Sequence, residues 1–126
     1  MAEKIKLVQG DTRPQLKFII TDDTTGDVVD ISGSAVLLKF RASGDETVLF
    51  TRLGTLIAGK ELPDGTVTTA PPYNIPGSGG IVVFNFVTGN LDVDPGPYEG
   101  EIEITFGDGS IQTVYTVQKF VVRADF

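Results

Sequence analysis

Apolar and polar side chains alternate along this chain in short runs, and the runs are separated by Gly, Asp, Asn and Pro. Alternation with period two puts successive side chains on opposite faces of a strand. No window carries the 3.6-residue repeat of an amphipathic helix. Residues 4–8 predict a first short strand, closed by Gly10-Asp11. Residues 15–21 follow, with Leu16, Phe18 and Ile20 on one face and Lys17, Ile19 and Thr21 on the other. The stretch from Asp22 to Asp27 is a turn by composition, and residues 28–31 form a brief extended piece. Residues 34–41 then turn Val36, Leu38 and Phe40 inward and Leu37, Lys39 and Arg41 outward. Ser43-Gly44-Asp45 leads into a strand over 47–53.

Residues 81–87 predict a strong strand with Val82, Phe84 and Phe86 on one face, and residues 98–106 predict another, ended by the hairpin signal Gly107-Asp108-Gly109. The last run, 111–124, is too long and too mixed in phase for one strand, which places a bulge or bend near Val117. Short strands at this spacing with nothing helical between them describe an all-β sandwich or small barrel. Tyr98 favours the sandwich. It follows Asp94-Pro95-Gly96-Pro97 at the start of a strand, where the tyrosine corner of immunoglobulin-like domains ties a hydroxyl back to nearby backbone. The expected fold is one immunoglobulin-like antiparallel β-sandwich spanning 1–126, with about seven to nine strands and one long loop or extra hairpin over 54–80.

That segment does not fit a minimal sandwich. It is rich in Gly, Thr and Pro, and includes Pro71-Pro72-Tyr73 and Ile75-Pro76-Gly77-Ser78-Gly79-Gly80. Long connections without regular structure tend to be functional, and its apolar residues Leu56, Ile57, Val67, Tyr73 and Ile75 are more than a solvated linker needs. It has room for an extra hairpin, 53–57 against 65–69, and is read either as the surface for a partner or as a simple ordered excursion. The glycine run before the strand at 81 reads as a flexible joint.

Composition removes several functions. With no cysteine, no disulfide or thiolate site forms, and with no histidine the commonest general base and metal ligand is missing. No phosphate-binding glycine motif stands before a helix. Asp92 and Asp94, and Asp22, Asp23 and Asp27, match no calcium spacing, so no metal or cofactor is expected. Glu99, Glu101 and Glu103 alternate with Gly100, Ile102 and Ile104 on one strand face. Three carboxylates in a row do not make the acid pair of a glycosidase; Lys39 and Arg41 are suitable cross-strand partners for them. No catalytic residue is expected. The net charge is −7, and residues 64–126 hold two basic and eight acidic side chains, which opposes nucleic acid and acidic membranes as partners. The N-terminus lacks the apolar run of a signal peptide, and no segment has the roughly 20 apolar residues of a membrane span.

Several short stretches together resemble a family. Gln9-Gly10-Asp11-Thr12-Arg13-Pro14-Gln15-Leu16, Val29-Asp30-Ile31-Ser32-Gly33-Ser34-Ala35-Val36, Phe40-Arg41, Gly80-Ile81-Val82-Val83-Phe84, and the stretch from Pro95 to Glu103 with Gly107-Asp108-Gly109 are similar to small phage structural domains. The resemblance is to the immunoglobulin-like domain at the N-terminus of upper-baseplate proteins and in other tail, neck or head-decoration proteins. It implies a virion part made in the host cytoplasm, docking on other virion proteins and on copies of itself. Lys4, Ile5, Lys6, Leu7 and Val8 then form a candidate edge strand for addition to a neighbour. The longer 54–80 segment and the stop at Phe126 depart from the baseplate pattern and leave capsid, tube or neck open. A carbohydrate- or receptor-binding module is the alternative; lacking tryptophan, it would have Tyr73 and Tyr115 as sugar platforms.

Overall fold

The computed structural model describes residues 4–114 and 117–125, and every regular element among them is a strand. The elements are β1 (Ile5–Val8), β2 (Gln15–Ile19), β3 (Ala35–Ala42), β4 (Val48–Leu53), β5 (Thr55–Leu56), β6 (Lys60–Glu61), β7 (Val67–Thr68), β8 (Ile81–Asn85), β9 (Gly96–Thr105), β10 (Ile111–Thr113) and β11 (Gln118–Arg123). A six-stranded sheet runs β1-β11-β9-β3-β4, with β10 also on β9; a three-stranded sheet runs β2-β8-β5; β6 and β7 pair alone.

The eleven strands exceed the expected seven to nine for two reasons. The run after residue 110 breaks into β10 and β11, which lie along different parts of β9, Thr113 opposite Glu103 but Gln118 opposite Gly100. Residues 115 and 116, including Tyr115, lie outside the described residues. The 54–80 segment adds three two-residue strands. Pairing is also not wholly antiparallel: β1 runs parallel to β11, from Ile5 beside Phe120 to Val8 beside Arg123. A chain that leaves its first strand for the other sheet returns to that strand only through the rest of the fold, which permits a parallel pair.

The two sheets share one core, to which the alternation of the strands contributes directly. Leu16, Val82 and Phe84 from the small sheet meet Val36, Leu38, Phe40, Ile102, Ile104 and Phe120 from the large one. Phe40 is the centre of an aromatic cluster, with ring centroids 4.7 Å from Phe50, 5.1 Å from Phe120 and 5.2 Å from Tyr98. Ile31 and Leu91, both outside the strands, are as deeply buried as these.

Tyr98 stands at the start of β9, and its hydroxyl donates to the Asp94 carbonyl at 2.5 Å. Burial raises its pKa, and the nearby Asp94 carboxylate adds to the effect. The phenol therefore stays a neutral donor that locks the 94–98 turn. Tyr98→Phe keeps the ring on Phe40 and removes one bond. Urea unfolding is expected to show a loss of about 1–2 kcal/mol, with the aromatic near-ultraviolet signal of the folded state otherwise retained.

Candidate functional site

The 54–80 segment begins where β4 hands the chain from one sheet to the other. Gly54 makes that crossing because a Cβ there would come within 2.5 Å of Val82 and 2.9 Å of Phe84. Thr55 and Leu56 then pair with Val83 and Val82 of β8, so the expected hairpin of 53–57 with 65–69 does not form. Residues 67–68 pair instead with Lys60 and Glu61. The turn between them is Leu62-Pro63-Asp64-Gly65-Thr66, with the Thr66 N–H and hydroxyl donating to Asp64 at 3.0 and 2.6 Å. Pro-Asp-Gly is a turn signature, a signal in the sequence that the 53–57 with 65–69 pairing passed over.

The glycine run is a correction as well. Gly77, Ser78, Gly79 and Gly80 form a buried turn, not a flexible joint. Ile31 N–H donates to Gly77 O, Gly77 N–H to Ile57 O and Ile20 N–H to Gly80 O, at 2.9–3.0 Å. The turn tacks the whole segment down against the small sheet. Ile81 and Val83, on the outer face of β8, are therefore buried, and a cleft of about 270 Å³ opens beside them. Its walls are Ile57, Ala58, Val67, Ile81 and Val83, with Gln15 and Lys17 from β2. Lys17 pairs with Glu61 at 2.8 Å and brings β6 to β2.

Of the five candidate contact residues, the fold brings Ile57 and Val67 to this cleft, 37% and 49% exposed. Ile75 is exposed elsewhere on the segment. Leu56 packs half-buried on the core, because its position opposite Val82 turns it inward. Tyr73 is half-buried, with the Lys60 ammonium 5.2 Å from its ring centre. In the candidate edge strand, Lys4 precedes β1, Leu7 is buried, Ile5 and Val8 are half-buried, and Lys6 is exposed. β1 ends its sheet.

Among known proteins, the chain matches no family model, no curated sequence and no solved structure.

The outer face of the large sheet carries the three glutamates. Lys39 bonds Glu103 at 2.8 Å, while Arg41 and Lys119 approach Glu99 at 3.3 and 3.4 Å. The hydrogen bond from Lys39 to Glu103 raises the lysine pKa against the effect of burial. Burial alone would raise that of Glu99, but the Gly44 N–H, Lys119 and Arg41 together hold it below the ordinary glutamate value of 4.5. A depressed carboxylate pKa stabilises the fold above the unfolded value and loses that contribution as pH falls through the folded one. Glu99→Gln is therefore expected to flatten the acid limb of a stability–pH curve below about pH 4.5, read by urea midpoints from pH 7 to pH 3.

A second opening, about 560 Å³, lies between β2 and the β9–β10 side, lined among others by Phe18, Ile20, Ile102 and Val114 and by Asp22 and Asp23. The Asp22 carboxylate accepts the Thr24 and Thr25 N–H groups and serves the turn. Among the described residues no three His, Cys, Asp or Glu side chains are grouped to hold a metal ion, and no helix is long and apolar enough to cross a membrane.

Proposed function

We propose that this chain is an immunoglobulin-like sandwich domain that serves as a non-catalytic assembly part of a phage particle, in the tail, baseplate, neck or capsid decoration. The observation that carries the reading is the strand frame. A sheet ordered β1-β11-β9-β3-β4 faces one ordered β2-β8-β5, and Tyr98 makes the corner bond at the start of β9. The sequence stretches similar to phage structural domains fall on that frame. Its chemistry suits docking. Exposed apolar side chains concentrate on β4 and on the 54–80 segment, and the carboxylates with resolved bonds serve turns or ion pairs.

The partners in this reading are other virion proteins and copies of the chain itself, with the Ile57–Val67 cleft and the open strand edges as contact surfaces. Mass spectrometry of purified particles, with abundance set against the major capsid protein, is the test. Copy numbers in the hundreds assign the chain to the capsid or tail tube; those of a single ring assign it to the neck or baseplate. Absence from particles overturns the proposal.

A further inference from the structure

The large sheet ends at β4, and β4 is unlike the other open edges. Strand edges are normally guarded by lysine, by proline, by shortness or by a bulge; β4 is bulged at Leu49 and regular from Phe50 to Leu53. β1 carries Lys6 and β2 carries Lys17, while β5 and β10 have two and three residues. β4 has six, Val48-Leu49-Phe50-Thr51-Arg52-Leu53, and Val48, Leu49 and Leu53 are exposed. Its one charged side chain is engaged, since Arg52 Nε donates to the Asn85 carbonyl at 2.7 Å.

The register settles which backbone groups point away from β3. Gly54 N–H donates to Val36 O at 2.7 Å, and the ladder places Leu53 opposite Leu37 and Arg52 opposite Leu38. Backbone polar groups alternate in direction along a strand. Those of Arg52 and Gly54 turn towards β3, so those of Thr51 and Leu53 point out from the sheet. Leu49, at the bulge where the ladder skips a residue, and Leu53 stand two residues to either side of Thr51 in the sequence. The exposed pattern Leu-x-Thr-x-Leu reads the same in both directions.

We propose that β4 pairs antiparallel with β4 of a second copy of this chain, about a two-fold axis at Thr51. A two-fold interface requires a patch complementary to itself, and this edge is one. Thr51 meets its own counterpart and exchanges two backbone hydrogen bonds. Leu49 lies opposite Leu53 of the second copy, twice over, and Phe50 lies opposite Arg52. A shift of one residue towards Leu53 would oppose the two Arg52 side chains, and self-pairing of β1 about Lys6 would oppose two lysines, both unfavourable; a shift the other way would centre the pair on the bulged end of the strand. Each copy carries −7, so salt is expected to tighten the pair by screening. The proposal rests on the edge geometry and holds or fails independently of the virion reading.

The test uses the purified full chain. In sedimentation equilibrium the mean mass is expected to rise with concentration from 13.5 kDa towards twice that value. The chain has no cysteine, so Thr51→Cys introduces a single thiol. Hydrogen-bonded antiparallel partners stand about 5.5 Å apart at Cα, within disulfide reach. Thr51→Cys is expected to oxidise to a dimer faster than a Lys6→Cys control. A mixture of Leu49→Cys and Leu53→Cys chains is expected to cross-link faster than either alone. Thr51→Lys, at an exposed site, is expected to weaken association by about tenfold or more through opposed like charges. A mass that stays at 13.5 kDa with Thr51→Cys no faster than the control overturns the proposal. So does a dimer that survives Thr51→Lys unchanged.

Discussion

Phe40→Ala is expected to lower the unfolding free energy by about 3–5 kcal/mol, the range for a large aromatic removed from a closed core. Phe40 is completely buried and packs against Phe50, Tyr98, Phe120 and Phe86. Those rings come from β4, β9, β11 and the segment just after β8, so one side chain joins both sheets. Planar rings held by four separate elements collapse poorly into a vacancy, and the lost contacts are not recovered. Urea unfolding is expected to show a lower midpoint with little change in slope, as for a pure stability effect. A loss under about 1 kcal/mol, ordinary for an arbitrary substitution, would show that the core has another centre.

The second large effect is expected from Gly79→Ala, a change of one methyl group. A Cβ at that position would fall on the Gly59 carbonyl oxygen and lie 2.8 Å from the Lys60 Cα. Both obstacles are backbone, so no rotamer change relieves the contact. Overpacking of this kind costs about 1–3 kcal/mol, occasionally more, and the strain is local. The 54–80 segment is expected to lift from the small sheet while the aromatic core remains. Hydrogen exchange reports this directly: the amides of Ile57 and Gly77, which donate to Ile81 O and Ile57 O, are expected to lose protection well before those of β3 and β9. Unchanged protection at both amides would mean that the glycine turn is not what holds the segment.

The strands were legible in the sequence because their faces differ. Val36, Leu38 and Phe40, and Val82, Phe84 and Phe86, alternate with less buried or polar neighbours, and all six are core residues. Lys39 and Arg41 were also legible as partners for the glutamates, since strand alternation alone puts all five side chains on one face. The exceptions have a common cause. Ile81 and Val83 are buried on the face that alternation assigns to solvent, because a segment from elsewhere in the chain covers them. Ile31 and Leu91 carry no periodic signal, and their burial depends on turns packed from outside the strands. Gly77–Gly80 shows the limit most plainly. Composition cannot separate glycines that give freedom from glycines that allow two backbones to touch, and here Gly79 does the second. The cleft at Ile57 and Val67 is likewise the product of that non-local packing.

The parallel pairing of β1 with β11 has a mechanical consequence. Ile5 sits beside Phe120 and Val8 beside Arg123, so the chain enters this pair at one end and leaves it at the other. A pull applied ahead of Ile5 and beyond Arg123 draws the two strands past each other along their length. All the rungs between them then share the load and must rupture together, whereas a hairpin pulled at its open end unzips one rung at a time. A domain tethered by both ends is, in this geometry, a shear clamp.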